Sequence, residues 1–87
     1  SFKPQDENEI LKEIKEKELS EDEISSLINL GKKDILIALA RSQKLSSVQI
    51  KDMLPNAPYL AVCLLVEKQD ISELYKELIA KYKGVKW

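Results

Sequence analysis

Histidine is absent from this chain, which removes the commonest general base and the commonest metal ligand together. Cysteine is nearly absent. Cys63 stands alone, so no intrachain disulfide can form and no oxidising compartment is implied. Only two glycines and three prolines interrupt 87 residues, so helices can run unbroken. The same scarcity leaves no glycine-rich loop to cradle a phosphate and no glycine for a calcium-binding loop. Long apolar runs are missing too. The longest, Tyr59 to Val66, falls far short of the roughly 20 residues a bilayer requires. Residues 1–18 are acidic and carry no apolar core of the kind a signal peptide has. These absences predict a soluble, cytoplasmic protein that is not an enzyme and holds no metal or cofactor.

What is present is charge and helix-forming residues. Apolar residues make up 44% and charged residues 33%, the balance of a folded domain rather than a disordered one. A chain of this length is expected to form one domain, residues 1–87, with 1–5 a loose lead-in and 84–87 a tail. The net charge of −1 is unevenly spread. Nine acids and four lysines give residues 1–26 a net −5, whereas six acids and ten bases give 27–87 a net +4. Thirteen of the fourteen bases are lysine, which makes a diffuse positive field and lacks the bidentate fork of arginine.

Three stretches look alike and are evenly spaced along the chain. Leu19-Ser20, Leu45-Ser46 and Ile71-Ser72 each open a predicted helix. At the same interval Ile24, Leu27 and Ile28 recur as Ile50, Met53 and Leu54, while Leu36, Leu39 and Ala40 recur as Val62, Leu65 and Val66. A period in this range points to stacked helical hairpins. Asp6 with Glu9, Ser20 with Glu23, and Ser46 with Gln49 have capping-box spacing. Gly31 and Gly84 fit helix-ending positions. Pro55 predicts the end of a fourth helix at Leu54. Asn56 is expected to cap a fifth, with Pro58 in its first turn. Six short helices follow, the third and fifth apolar on nearly every side and covered by the others. Leu74, Leu78 and Ile79 predict the apolar face of the sixth helix. The expected architecture is all-α, antiparallel hairpins closing into a compact bundle or a short α-solenoid.

The stretch Asp34 to Leu54, DILIALARSQKLSSVQIKDML, resembles HEAT-like repeats, and more closely the bacterial leucine-rich-repeat variant. Ala61 to Leu78, AVCLLVEKQDISELYKEL, follows the same plan more loosely. The resemblance covers roughly residues 19–80. It departs from the pattern at Ala38, where an arginine or lysine is common, and at Val66-Glu67, which replaces the Ala40-Arg41 pair. The resemblance implies a binding surface rather than a reaction.

Candidate interaction residues are Lys32, Lys33, Lys51, Lys76, Lys81, Tyr82 and Trp87. Lys51 and Lys76 lie at nearly equivalent places in successive hairpins and suggest a basic stripe. Tyr82 and Trp87 lie among lysines, a mixture that can anchor a partner or stack on bases. Tyr59 and Tyr75 read as core-edge residues and Cys63 as a small core residue. Glu21, Asp22 and Glu23 suit the positive end of a helix dipole. Ile10, Leu11 and Ile14 either cap the stack or dock a partner. The expected function is a non-enzymatic protein-interaction or adaptor module using an exposed helix face or groove. A second reading is a weak nucleic-acid binder using Lys51, Lys76 and the C-terminal lysines and aromatics, against which the pI near 5.5 counts. A third is a small regulatory homodimer.

Overall fold

The computed structural model describes residues 6–84, without the side chain of Lys83. The expected lead-in 1–5, the tail beyond Gly84 and Trp87 lie outside the described residues. The chain is all-α, and the described residues include no strand. Its helices are α1 (Glu7–Glu16), α2 (Glu21–Leu30), α3 (Lys33–Ser42), α4 (Ser47–Met53), α5 (Tyr59–Lys68) and α6 (Glu73–Lys83). A single 3₁₀ turn, Leu54–Asn56, links α4 to α5. The first residues of α1, α3 and α5 are evenly spaced, and those of α2, α4 and α6 follow the same interval.

Local chemistry accounts for most of the helix ends. The Ser20 hydroxyl accepts from the Glu23 amide at 3.2 Å while the Glu23 carboxylate accepts from the Ser20 amide at 2.9 Å. Ser46 and Gln49 form the same reciprocal pair at the start of α4. Asp6 and Ser72 cap α1 and α6 through one bond each. Gly31 and Gly84 end α2 and α6 at φ 66° and 70°, a left-handed backbone that other residues adopt at a cost. Pro55 does not stop the chain's turning outright: α4 ends at Met53 and tightens into the 3₁₀ turn. Asn56 ends that turn rather than capping α5, whose N-cap is Pro58. Proline supplies the extended φ and ψ that a cap needs but offers no side-chain acceptor, so α5 starts without one.

Helix α3 forms the centre, packed against α1 on one side and α5 on the other. Its Ile35, Leu36, Leu39 and Ala40 are wholly buried. At about 1.5–3 kcal/mol for each large aliphatic side chain, this helix contributes heavily to the apolar core. Ile10 and Ile14 of α1 are buried in the same cluster, so the α1 stripe serves the fold. Helix α5 departs from expectation. Ala61, Val62, Leu64, Leu65 and Val66 are buried, but Tyr59 and Leu60 face solvent and Cys63 is half-buried. With α3 on one side only, α5 sits at the end of its row.

Two buried glutamines join the units. The Gln43 amide donates to the carbonyl oxygens of Ile14 at 2.7 Å and Lys17 at 2.6 Å, and its oxygen accepts from the Leu19 amide at 3.1 Å. One unit later, the Gln69 amide donates to Ala40 at 3.1 Å and Gln43 at 2.8 Å, and accepts from Leu45 at 3.0 Å. Both glutamines sit just after their helices and reach the C-terminal ends of the preceding ones, so α1, α3 and α5 run parallel. In the second layer the Gln49 amide donates to the Glu21 carbonyl and the Ser25 hydroxyl, tying α4 to α2 at their N-terminal ends.

Removing a clamp leaves three backbone groups, in the last turn of the neighbouring helix and the loop after it, without their partners. Gln43→Ala and Gln69→Ala are each expected to cost about 2–4 kcal/mol, and Gln69 more because its bonds are buried throughout. Urea unfolding checks this; variants within 0.5 kcal/mol of the parent, on the order of measurement error, would count against the clamps. Hydrogen bonds from the Ser20 backbone and hydroxyl also hold the Glu23 carboxyl below its ordinary range. A depressed folded value means the contribution is present above the unfolded value and is lost as pH falls through the folded one. NMR titration should show Glu23 protonating below ordinary glutamates, while Glu23→Gln, which copies the Gln49 cap, should make α2's cap insensitive to acid.

Candidate interaction face

The shared interval pairs each position of one unit with its counterpart in the next. Gln49 of α4 corresponds to Tyr75 of α6. Where the Gln49 amide reaches the Glu21 carbonyl at 3.2 Å, the Tyr75 hydroxyl reaches the equivalent Ser47 carbonyl at 3.5 Å. That contact is long for a hydroxyl donor and correspondingly weak. Burial of the Tyr75 ring edge pushes its phenol above the ordinary value. Beyond this point α6 leans on α5 and touches α4 little.

A groove of ≈ 400 Å³ opens there, lined by Lys51, Leu54 and Pro55 on one wall and Tyr75, Leu78, Ile79 and Tyr82 on the other. Six of its seven lining residues are apolar or aromatic; Lys51 supplies the charge. The α6 wall is spaced i, i+3, i+4 and i+7, one face of a helix. Leu78 and Tyr82 also project outward, 56% and 68% exposed, and Leu74 one turn earlier is 67% exposed. The expected apolar face of α6 therefore divides. Ile79 and Ala80 enter the core, while Leu74 and Leu78 stay at the surface.

The register shows that the fold does not require these leucines outside. Leu78 corresponds to Ser26 and Asp52, and Leu60 to Asn8 and Asp34, all of them exposed. Leu74 corresponds to Asp22 and Val48. The last unit thus carries leucine where one or both earlier units present polar groups to water. At the opposite end of the row the reverse substitution occurs. Glu9, Lys12 and Glu13 of α1 occupy the places of Ile35, Ala38 and Leu39, which in α3 are buried or half-buried.

Among the described residues, Lys51 and Lys76 do not share a stripe. The helix interval aligns Lys51 with Ser25 and Glu77, and Lys76 with Ile24 and Ile50. The match between Lys51 and Lys76 is therefore one position out of register, a turn of about 100° around a helix. Lys51 is exposed at the groove; the Lys76 side chain is only 18% exposed and pairs with Glu73 at 3.5 Å. Lys32 and Lys33 sit at the start of α3, where the Lys32 ammonium lies 3.9 Å from Glu7. Lys81 is exposed on α6, next to Tyr82 in the chain. Of the described candidate interaction residues, the groove brings together Lys51 and Tyr82. Leu74, Leu78 and Leu60 carried a signal that helical periodicity alone does not read: polar positions turned apolar in one unit.

Among the described residues there is no group of three or more cysteine, aspartate or glutamate side chains placed to hold a metal ion. Among them, too, no helix is long and apolar enough to cross a membrane. Comparison with known protein families, curated proteins and solved structures finds no match for this chain.

The half-buried lysine gives a direct test of the register. Lys76→Ile places an apolar side chain where Ile24 and Ile50 are buried and is expected to stabilise the fold by about 0.5–1.5 kcal/mol. A thermal melt checks it; a lowered Tm would show that α6 does not occupy the same register as α2 and α4.

Proposed function

We propose that this chain is a non-enzymatic protein-interaction module whose contact face is the outer side of α6 with the adjoining α4 groove. One observation carries the reading: leucines occupy exposed places in the last unit whose counterparts elsewhere are largely polar. Scattered exposed leucines are ordinary on any protein. A row along one helix, beside an apolar groove, marks an interaction site more strongly. The scattered lysines give no comparable support to nucleic-acid binding, which needs phosphate contacts in a continuous track. The proposal includes a cytoplasmic setting, which a lone thiol suits.

A photo-crosslinking residue placed at position 78 tests the face in living cells. It is expected to give discrete crosslinked species, whereas the same residue at position 26, the equivalent place in α2, gives none. Equal labelling at both positions would overturn the proposed face.

A further inference from the structure

The α6 face carries information about what covers it, and this step rests on reading α6 as a contact face. Leu74, Leu78 and Tyr82 are spaced i, i+4 and i+8, so they form a stripe along the helix. On one flank of that stripe stand Glu77 and Lys81, both exposed, opposite in charge and one turn apart. The other flank, with Tyr75 and Ile79, turns toward the groove and the core.

We propose that the occupant is a second copy of this chain, with two α6 helices packed antiparallel about a two-fold axis near Leu78. Such an axis makes the interface isologous and brings the same flank of both helices together. Leu74 then lies against the second copy's Tyr82, and Leu78 against Leu78. Glu77 meets the second copy's Lys81, and Lys81 meets its Glu77, so both charge pairs are satisfied at once. A parallel pairing sets the Glu77–Lys81 flank against the Tyr75–Ile79 side and makes neither pair. A head-to-tail contact fails for another reason. Among the described residues, the outer face of α1 presents the charged side chains Glu9, Lys12, Glu13 and Glu16 and no leucine, isoleucine or aromatic to meet the α6 stripe.

The helix is about 16 Å long at the usual rise. A contact that short is at the small end of specific interfaces, roughly 1,200 Å² or less in total. Association is therefore weak, with a dissociation constant on the order of 10 µM.

Sedimentation equilibrium from about 1 to 500 µM, a range set to bracket that constant, is the test. The weight-average mass should rise from 10.0 kDa toward twice that value. Leu78→Glu should weaken association about a hundredfold, and because Leu78 is already exposed its melting curve should match the parent's. Glu77→Lys and Lys81→Glu should each weaken it about tenfold through like-charge contact, and the double exchange E77K/K81E should restore it. A monomer at every concentration overturns the proposal, as does a dimer indifferent to Leu78→Glu. A dimer that the double exchange fails to rescue overturns the antiparallel pairing. The contact-face reading fails separately. If the chain stays monomeric but the residue at position 78 still crosslinks a different protein, the dimer is wrong and the face stands.

Discussion

A four-residue connection between helices exposes backbone groups that a small protein can ill leave buried and unpaired. Every helix ends with carbonyls that have no partner in the helix itself. In this chain the clamp is a glutamine amide, whose two N–H donors and one carbonyl acceptor match a carbonyl in the last turn of the preceding helix and a carbonyl and an amide of the loop that follows it. Gln43 serves the loop after α1 and Gln69 the loop after α3, through bonds displaced by one full unit. Asparagine is one methylene shorter and glutamate has no donor when ionised, so neither reproduces the set. Spacing, parallel orientation and distance between α1, α3 and α5 all depend on these contacts being made. The clamp also explains how its series ends. In the last unit the Ile71 amide, equivalent to Leu19 and Leu45, turns back to the Gln69 carbonyl at 3.1 Å.

The two ends of the row are chemically different, although α1 and α5 each have a helix of the row on one side only. Lys17, just after α1, stands where Gln43 and Gln69 form clamps, and Glu9 and Glu13 stand where α3 and α5 bury apolar side chains. At these described positions of α1 charged groups replace side chains that would otherwise seek a partner. The other end is shielded by α6, whose own outer face is apolar. The asymmetry is one of residue choice rather than backbone path, since the helices keep their spacing throughout.

Which features were legible from sequence follows from how far each interaction reaches. The caps of α2 and α4, and the left-handed ends at Gly31 and Gly84, join residues three or four apart, and spacing alone reveals them. The all-α class and the six helices follow from periodicity. The glutamine clamps bridge 24 to 29 residues, so Gln43 and Gln69 read as ordinary polar ends of apolar helices. A signal existed in their shared place, shortly before Leu45 and Ile71. Pro58 took the cap expected of Asn56 because the 3₁₀ turn carried Asn56 into its own end. For the candidate site, periodicity reports that Leu74, Leu78 and Ile79 share a side of α6 but not what that side meets. Only the register, fixed by α2 and α4, separates core positions from outward ones.

That register also bears on how firmly α6 is held. Helix α2 places Ile24, Leu27 and Ile28 in the core, whereas α6 buries Ile79 and Ala80 and sets Lys76 where an isoleucine would go. The tie between the second-layer helices weakens at the same step, as a glutamine amide with two bonds gives way to one long tyrosine contact. Few buried apolar contacts and weak ties define the part of a protein that opens most readily. Association through Leu74 and Leu78 would add burial to this helix in particular. By mass action, anything that binds the folded form raises its stability, and the gain is felt where the unbound structure is least anchored. The exposed leucines and the half-buried lysine are therefore two aspects of one arrangement: α6 is held by fewer buried side chains from within, and the proposed contact would hold it from outside.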